Sequence, residues 1–98
     1  MIPVSITPKA IEEIKVILEK KGIPDDYGLR IGVKGGQGCA GVNFTLGFDK
    51  VSTTDLTYII DDVPVYIKKA ELMYLIDKQV DFYEGSDARG FVVGDPEN

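Results

Sequence analysis

Apolar residues recur along this chain at two different spacings, and the change from one to the other marks its elements. Ala10, Ile11, Ile14, Ile17 and Leu18 fall three and four residues apart, with Lys9, Glu12, Glu13, Lys15, Glu19 and Lys20 on the opposite face. That spacing predicts an amphipathic helix. Thr7 before Pro8 supplies an N-cap and a proline at the first helical position, while Gly22 and Pro24 end the helix. Its mixed charges and ordinary apolar stripe suit a scaffold element lying on a sheet. From Gly28 the period becomes two. Leu29, Ile31 and Val33 alternate with Arg30, Gly32 and Lys34, and Val42, Phe44, Leu46 and Phe48 alternate with Asn43, Thr45, Gly47 and Asp49. These segments predict two strands joined as an antiparallel hairpin.

Val51 to Asp55 is polar and turn-like. Leu56, Tyr58 and Ile60 then predict a third strand that stops at Asp61-Asp62, and Val63, Val65 and Ile67 a fourth. Leu72, Met73 and Ile76 lie at helical spacing within Lys69 to Ile76, enough for about two turns. Val80 to Glu84 and Phe91 to Val93 predict two short strands joined through Gly85-Ser86-Asp87, and the stretch Gly94 to Asn98, without an apolar anchor, is expected to fray. Hairpin-like strands without regular crossover helices predict an α+β fold, a small β-sandwich of mainly antiparallel or mixed strands with one N-terminal helix and one short helix. At 98 residues the expectation is one domain spanning 1–98.

Composition narrows the function. With 44% hydrophobic and 28% charged residues the chain sits near the globular average, and no apolar run approaches the roughly 20 residues of a bilayer-crossing helix. The start Met1-Ile2-Pro3 lacks the basic and apolar regions of an export signal, so a cytoplasmic location is expected. A net charge of −5 repels phosphate backbones and anionic lipid, which argues against nucleic acid and membrane as partners. Histidine is absent and Cys39 is the one cysteine. Ser-His-Asp and Cys-His catalysis are thereby excluded within these residues, along with intramolecular disulfides, and the expected class is a non-enzyme.

The stretch Gly35-Gly36-Gln37-Gly38-Cys39-Ala40-Gly41 gathers four of the eleven glycines around the thiol. Three readings compete for it. Gly36 to Gly41 matches the dinucleotide pattern G-x-G-x-x-G, but that turn must open a helix whose N-terminus receives the pyrophosphate, and here the chain runs into the alternating strand from Val42. A second reading makes Cys39 a small hydrophobe tucked beneath a wide hairpin. The third makes it a displayed thiolate, uncrowded between Gly38 and Ala40, acting as ligand or nucleophile. Nucleophilic use requires a nearby cation or base, for which Arg30, Lys34 and Arg89 are the candidates.

At these residues the sequence resembles the HesB/IscA family, the A-type iron-sulfur cluster carriers. Gly28-Leu29-Arg30-Ile31-Gly32-Val33 is similar to the family's second strand, Gly38-Cys39-Ala40-Gly41 to its first cysteine motif, and Leu46-Gly47-Phe48-Asp49 continues the match. Leu75-Ile76-Asp77-Lys78-Gln79-Val80-Asp81-Phe82 resembles the short helix and following Asp-aromatic strand, and Gly90-Phe91 through Pro96-Glu97-Asn98 the run toward the C-terminal cysteines. The likeness covers nearly the whole chain. It departs in the loop before Cys39, one residue longer than the family's, and in the Cys-Gly-Cys motif, which lies beyond the counterpart of Asn98 in family carriers. Reading the gene past Asn98 decides whether that motif follows.

The resemblance implies a role related to iron-sulfur cluster assembly, with Cys39 as the one position carried over as a metal and cofactor ligand. Clusters are held mainly by thiolates, about four to each. Holding iron or an iron-sulfur cluster then implies a homo-oligomer that brings Cys39 residues together, with glutathione, a protein partner of the assembly system or a carboxylate such as Asp95 or Glu97 completing the shell. The alternative expectation is a degenerate, metal-free family member acting as a protein-interaction module. Asp25-Asp26 and Asp61-Asp62 are better read as solvated turns than as sites.

Overall fold

Two compact units make up the chain, Met1–Ile23 with Ile76–Asn98, and Pro24–Leu75. A computed structural model describes residues 3–35 and 42–96. In the first unit, helix α1 spans Pro8–Lys20. Thr7 caps it, its hydroxyl accepting from the Ala10 N–H at 3.2 Å, with Pro8 where no N–H is needed. The helix ends where Gly22 turns to a φ of +61°, a conformation that costs glycine nothing, and the Ile23 N–H closes on the Leu18 carbonyl at 3.2 Å. Ala10, Ile11 and Ile14 are buried, with Ile17 and Leu18 half-buried, so the predicted stripe is the packed face.

The same unit holds a three-stranded sheet of order β1-β6-β7, with β1 Ser5–Ile6, β6 Gln79–Glu84 and β7 Arg89–Gly94. Strand β6 pairs antiparallel with β7, and β1 lies parallel to β6 with Ser5 opposite Gln79. Val80 and Phe82 are buried, and Phe82 meets Phe91 edge-to-face with centroids 4.9 Å apart. Arg89 stacks over the Phe82 ring at 5.1 Å while bonding Glu84 at 3.2 Å and Glu13 of α1 at 3.4 Å.

The second unit is a four-stranded sheet of order β3-β2-β5-β4, with β2 Tyr27–Gly35, β3 Val42–Lys50, β4 Asp55–Ile60 and β5 Val63–Lys68. Two antiparallel hairpins, β2-β3 and β4-β5, join through a parallel pairing of β2 with β5 at Leu29–Val65 and Arg30–Tyr66. Leu29, Ile31, Val63, Val65, Tyr66 and Ile67 are buried. The turn of the second hairpin places Asp61 at φ 47° and Asp62 at φ 69°, the pair of positive values that matches the twist of a two-residue loop. Beyond β5 come a 3-10 turn at Lys69–Glu71 and the single-turn helix α2 at Leu72–Leu75.

The fold class is α+β, and every predicted strand is present. Three features differ from expectation. The second helical segment is a 3-10 turn followed by one α turn, because Asp77 adopts a left-handed φ of 65° and donates its N–H to the Pro3 carbonyl at 2.8 Å. Strand β1 was invisible in so short a segment and exists through pairing with β6. The stretch expected to fray begins inside β7, with Gly94 opposite Gln79, and Lys78 holds Asp95 at 2.6 Å.

Candidate functional site

Cys39, the expected ligand, lies outside the described residues, as do the remaining residues of Gly36-Gln37-Gly38-Cys39-Ala40-Gly41. What the structure describes is the hairpin that carries this segment. Residues of β2 and β3 pair without a bulge from Tyr27–Lys50 to Gly35–Val42, so 36–41 connect two paired strand ends. The continuous antiparallel register rules out the helix that the dinucleotide reading needs immediately after this segment, since Val42–Lys50 is strand.

The Gly28-to-Val33 motif is explained residue by residue. A Cβ at Gly28 would sit 2.7 Å from the Pro64 carbonyl oxygen and 2.8 Å from the Tyr66 ring, so strand β5 approaches too closely for any side chain. At Gly32 a Cβ would meet the Glu71 carboxylate at 2.9 Å and the Thr45 hydroxyl at 3.0 Å. Glu71 occupies that space because it accepts the Val33 N–H at 2.9 Å, capping β2 past its last pair with β5. A carboxylate therefore stands two residues from Gly35, at the end of the sheet that bears the Cys39 segment.

Arg30 serves a different purpose from the one considered for it. Its guanidinium takes both oxygens of Asp55 at 2.7 Å each, the Lys50 carbonyl at 2.9 Å and Asp49 at 3.2 Å. The Asp55 side chain is fully covered, and the Ser52 N–H adds a bond at 2.8 Å. The hydrogen bonds from Arg30 hold the Asp55 carboxyl below its ordinary range, outweighing the burial that pushes it up. This clasp fastens the β3–β4 connection and lies five residues along β2 from Gly35. Arg89 belongs to the other unit's ion pairs with Glu84 and Glu13. Lys34, exposed beside Gly35 and opposite Asn43, is the described cation closest in sequence to Cys39.

Among the described residues no group of three Cys, His, Asp or Glu side chains is arranged to hold a metal. Asp61 and Asp62 form the hairpin turn, Asp26 pairs with Lys50 at 3.8 Å, and Asp95 pairs with Lys78. Glu97 lies outside the described residues. No helix among the described residues is long and apolar enough to cross a membrane. Sequence reasoning missed Glu71 and Asp55. A lone acid in a short helix, or at a strand start, has no periodic signature, and only the long-range bonds its carboxylate makes give it a role.

Comparison with known proteins gives these elements a family context. The family model described as iron-sulphur cluster biosynthesis matches residues 2–96. The iron-sulfur cluster insertion protein ErpA of Saccharophagus degradans is 37% identical over 95 residues, covering 96% of this chain and 80% of that protein. The crystal structure of Escherichia coli SufA, involved in biosynthesis of iron-sulfur clusters, superposes with a TM-score of 0.79 at 25% identity, covering 97% of this chain and 82% of that one. A crystal structure of IscA with a [2Fe-2S] cluster has the same fold, with a TM-score of 0.72 at 23% identity over 95% of this chain and 82% of that one.

Proposed function

This chain belongs to the iron-sulphur cluster biosynthesis family of HesB/IscA-type carriers, with a role in iron-sulfur cluster assembly, and we propose that Cys39 is the thiolate through which it holds its iron or iron-sulfur cargo. The observation that carries this reading is the family match over residues 2–96, a span that includes the β2–β3 hairpin and the single thiol of residues 1–98, three positions from Val42. The match also covers residues from both compact units, which supports reading them as one domain of that family.

The donor chemistry sets the stoichiometry. A cluster takes about four ligands, mostly thiolates, and residues 1–98 contain one cysteine and no histidine. Cargo is therefore shared: two or more copies each present Cys39, or a copy and a small thiol or client protein do. A soft thiolate exchanges with other thiolates, so a site that completes its shell from outside the chain suits transient holding and hand-over to a protein partner of the assembly system. The setting is soluble, with neither nucleic acid nor membrane as partner, as the negative net charge supports.

Anaerobic reconstitution with ferrous iron and sulfide tests the proposal. The expected result is visible absorption from sulfur-to-iron charge transfer, lost in Cys39→Ser while circular dichroism and the unfolding midpoint are unchanged. Colourless protein, or equal iron in the variant, refutes it. The metal-free interaction reading, which the single thiol favours, instead predicts that Cys39→Ala binds partner proteins as the parent does.

A further inference from the structure

The helical run Lys69–Leu75, a 3-10 turn continuing into α2, carries apolar side chains on two faces. Glu71 and Leu75, four residues apart, form the inward one: Glu71 accepts the Val33 N–H at 2.9 Å, and Leu75 is fully buried. Lys69, Ala70, Met73 and Tyr74 are left on the outer face, and all four are exposed. Met73, part of the apolar spacing that predicts this helix, is 72% exposed, more than any other large hydrophobic residue among those described. Single exposed hydrophobes are ordinary. Here Met and Tyr stand side by side next to an alanine, and both are residue types enriched at the buried centres of protein interfaces.

We infer that this outer face docks a protein partner through a segment that is both acidic and apolar. The inference rests on the hand-over reading above only in needing a receiving protein, and it adds where that protein sits. Charge sets the partner's chemistry. Lys69, with exposed Lys68 just before it, makes no salt bridge among the described residues, and the one acid of the run, Glu71, is turned in to Val33. A carboxylate from outside therefore meets a cation without displacing one from within. A second copy does not supply it, since a symmetric contact sets this face against itself and the face has a lysine and no carboxylate. The net charge of −5 works against nucleic acid and anionic lipid. Met73 offers an unbranched, adaptable side chain, Tyr74 an aromatic anchor with a polar tip, and Ala70 room for a close backbone. The bond from Val33 to Glu71 holds this helix two residues before Gly35, at the end of the sheet from which residues 36–41 continue. A patch this small gives a weak, transient encounter, as hand-over requires.

Photocrosslinking of the full chain in its host cells tests this, with p-benzoylphenylalanine in place of Tyr74 or, as the control, of Tyr83, an exposed tyrosine of β6. Adducts at 74 should exceed those at 83 at least about fivefold, and sequencing them should place the crosslink in a partner segment of net negative charge with large apolar side chains. Lys69→Glu and Met73→Ser should each lower the yield at 74 at least about fivefold, with circular dichroism unchanged because both side chains are exposed. Adducts no more abundant than at 83, adducts to a second copy, to lipid or to a segment of net positive charge, or a yield that ignores Lys69→Glu, refute the proposal. Reconstitution with iron and sulfide on the same protein separates the two readings. Colourless protein that still gives the acidic adduct sinks the cargo reading alone, and a reconstituted cluster without that adduct sinks the docking face alone.

Discussion

Arg30 on β2 grips both carboxylate oxygens of Asp55, the first residue of β4, at 2.7 Å each, with strand β5 lying between their two strands. The pair ties the outer strand of one hairpin to the inner strand of the other, and it fixes the connection from β3 through the Lys50 carbonyl and the Ser52 N–H. The Asp55 side chain has 0% exposure and that of Arg30 19%, so the carboxylate depends on protein partners while the guanidinium is partly hydrated.

Asp55→Ala is therefore expected to cost about 1.5–3 kcal/mol of stability, from losing two charge-assisted hydrogen bonds while Arg30 keeps the Lys50 carbonyl and Asp49. Arg30→Lys should recover little, because an ammonium cannot make the paired contact. Urea unfolding monitored by circular dichroism measures both.

Acid should weaken the fold in a predictable window. Asp55 is held low by Arg30, and Asp81 by the Thr7 hydroxyl at 2.7 Å and the Phe82 N–H at 2.8 Å. A carboxyl with a lower pKa folded than unfolded contributes stability that is complete above its unfolded pKa and is lost as pH falls through the folded value. Stability should be level from neutrality down to about pH 5 and then decline below about pH 4. Asp81→Asn should make that decline shallower in denaturant titrations compared across this range.

Glycines in the sheet divide by what surrounds them. Gly28→Ala drives a Cβ against the Pro64 backbone oxygen and should cost about 1–3 kcal/mol, whereas Gly47→Ala, with nothing within 4 Å, should be neutral or stabilising by about 0.5–1 kcal/mol. Thermal unfolding of the two variants, with opposite signs of shift, decides this.

The Asp61-Asp62 turn holds two non-glycine residues at positive φ. Asp62→Gly should relieve that strain and stabilise the chain by about 0.5–1 kcal/mol despite the added backbone freedom. Differential scanning calorimetry against the parent protein provides the check.

Thr7 does two jobs, capping α1 at Ala10 and donating to Asp81. Thr7→Ser should keep both, while Thr7→Val should lose about 1 kcal/mol from the cap alone. The same denaturant titrations separate the variants.

Periodicity by itself determined the helix from Pro8, the four strands of the central segment and the final hairpin, because each of these buries a regular stripe that the residue order writes out directly. The family likeness, and with it the role in cluster assembly and the candidacy of Cys39, was also legible in short motifs around Gly28, Cys39 and Asp81. Tertiary structure decided what those motifs are for. Gly28 and Gly32 answer to Tyr66 and Glu71, residues 38 and 39 positions away, and Arg30 answers to Asp55. It also decided that β2 and β5 join in parallel and that β1 exists at all. Each of these is a long-range pairing or a buried polar contact, and such contacts depend on which segments meet in space, a relation that local spacing does not carry.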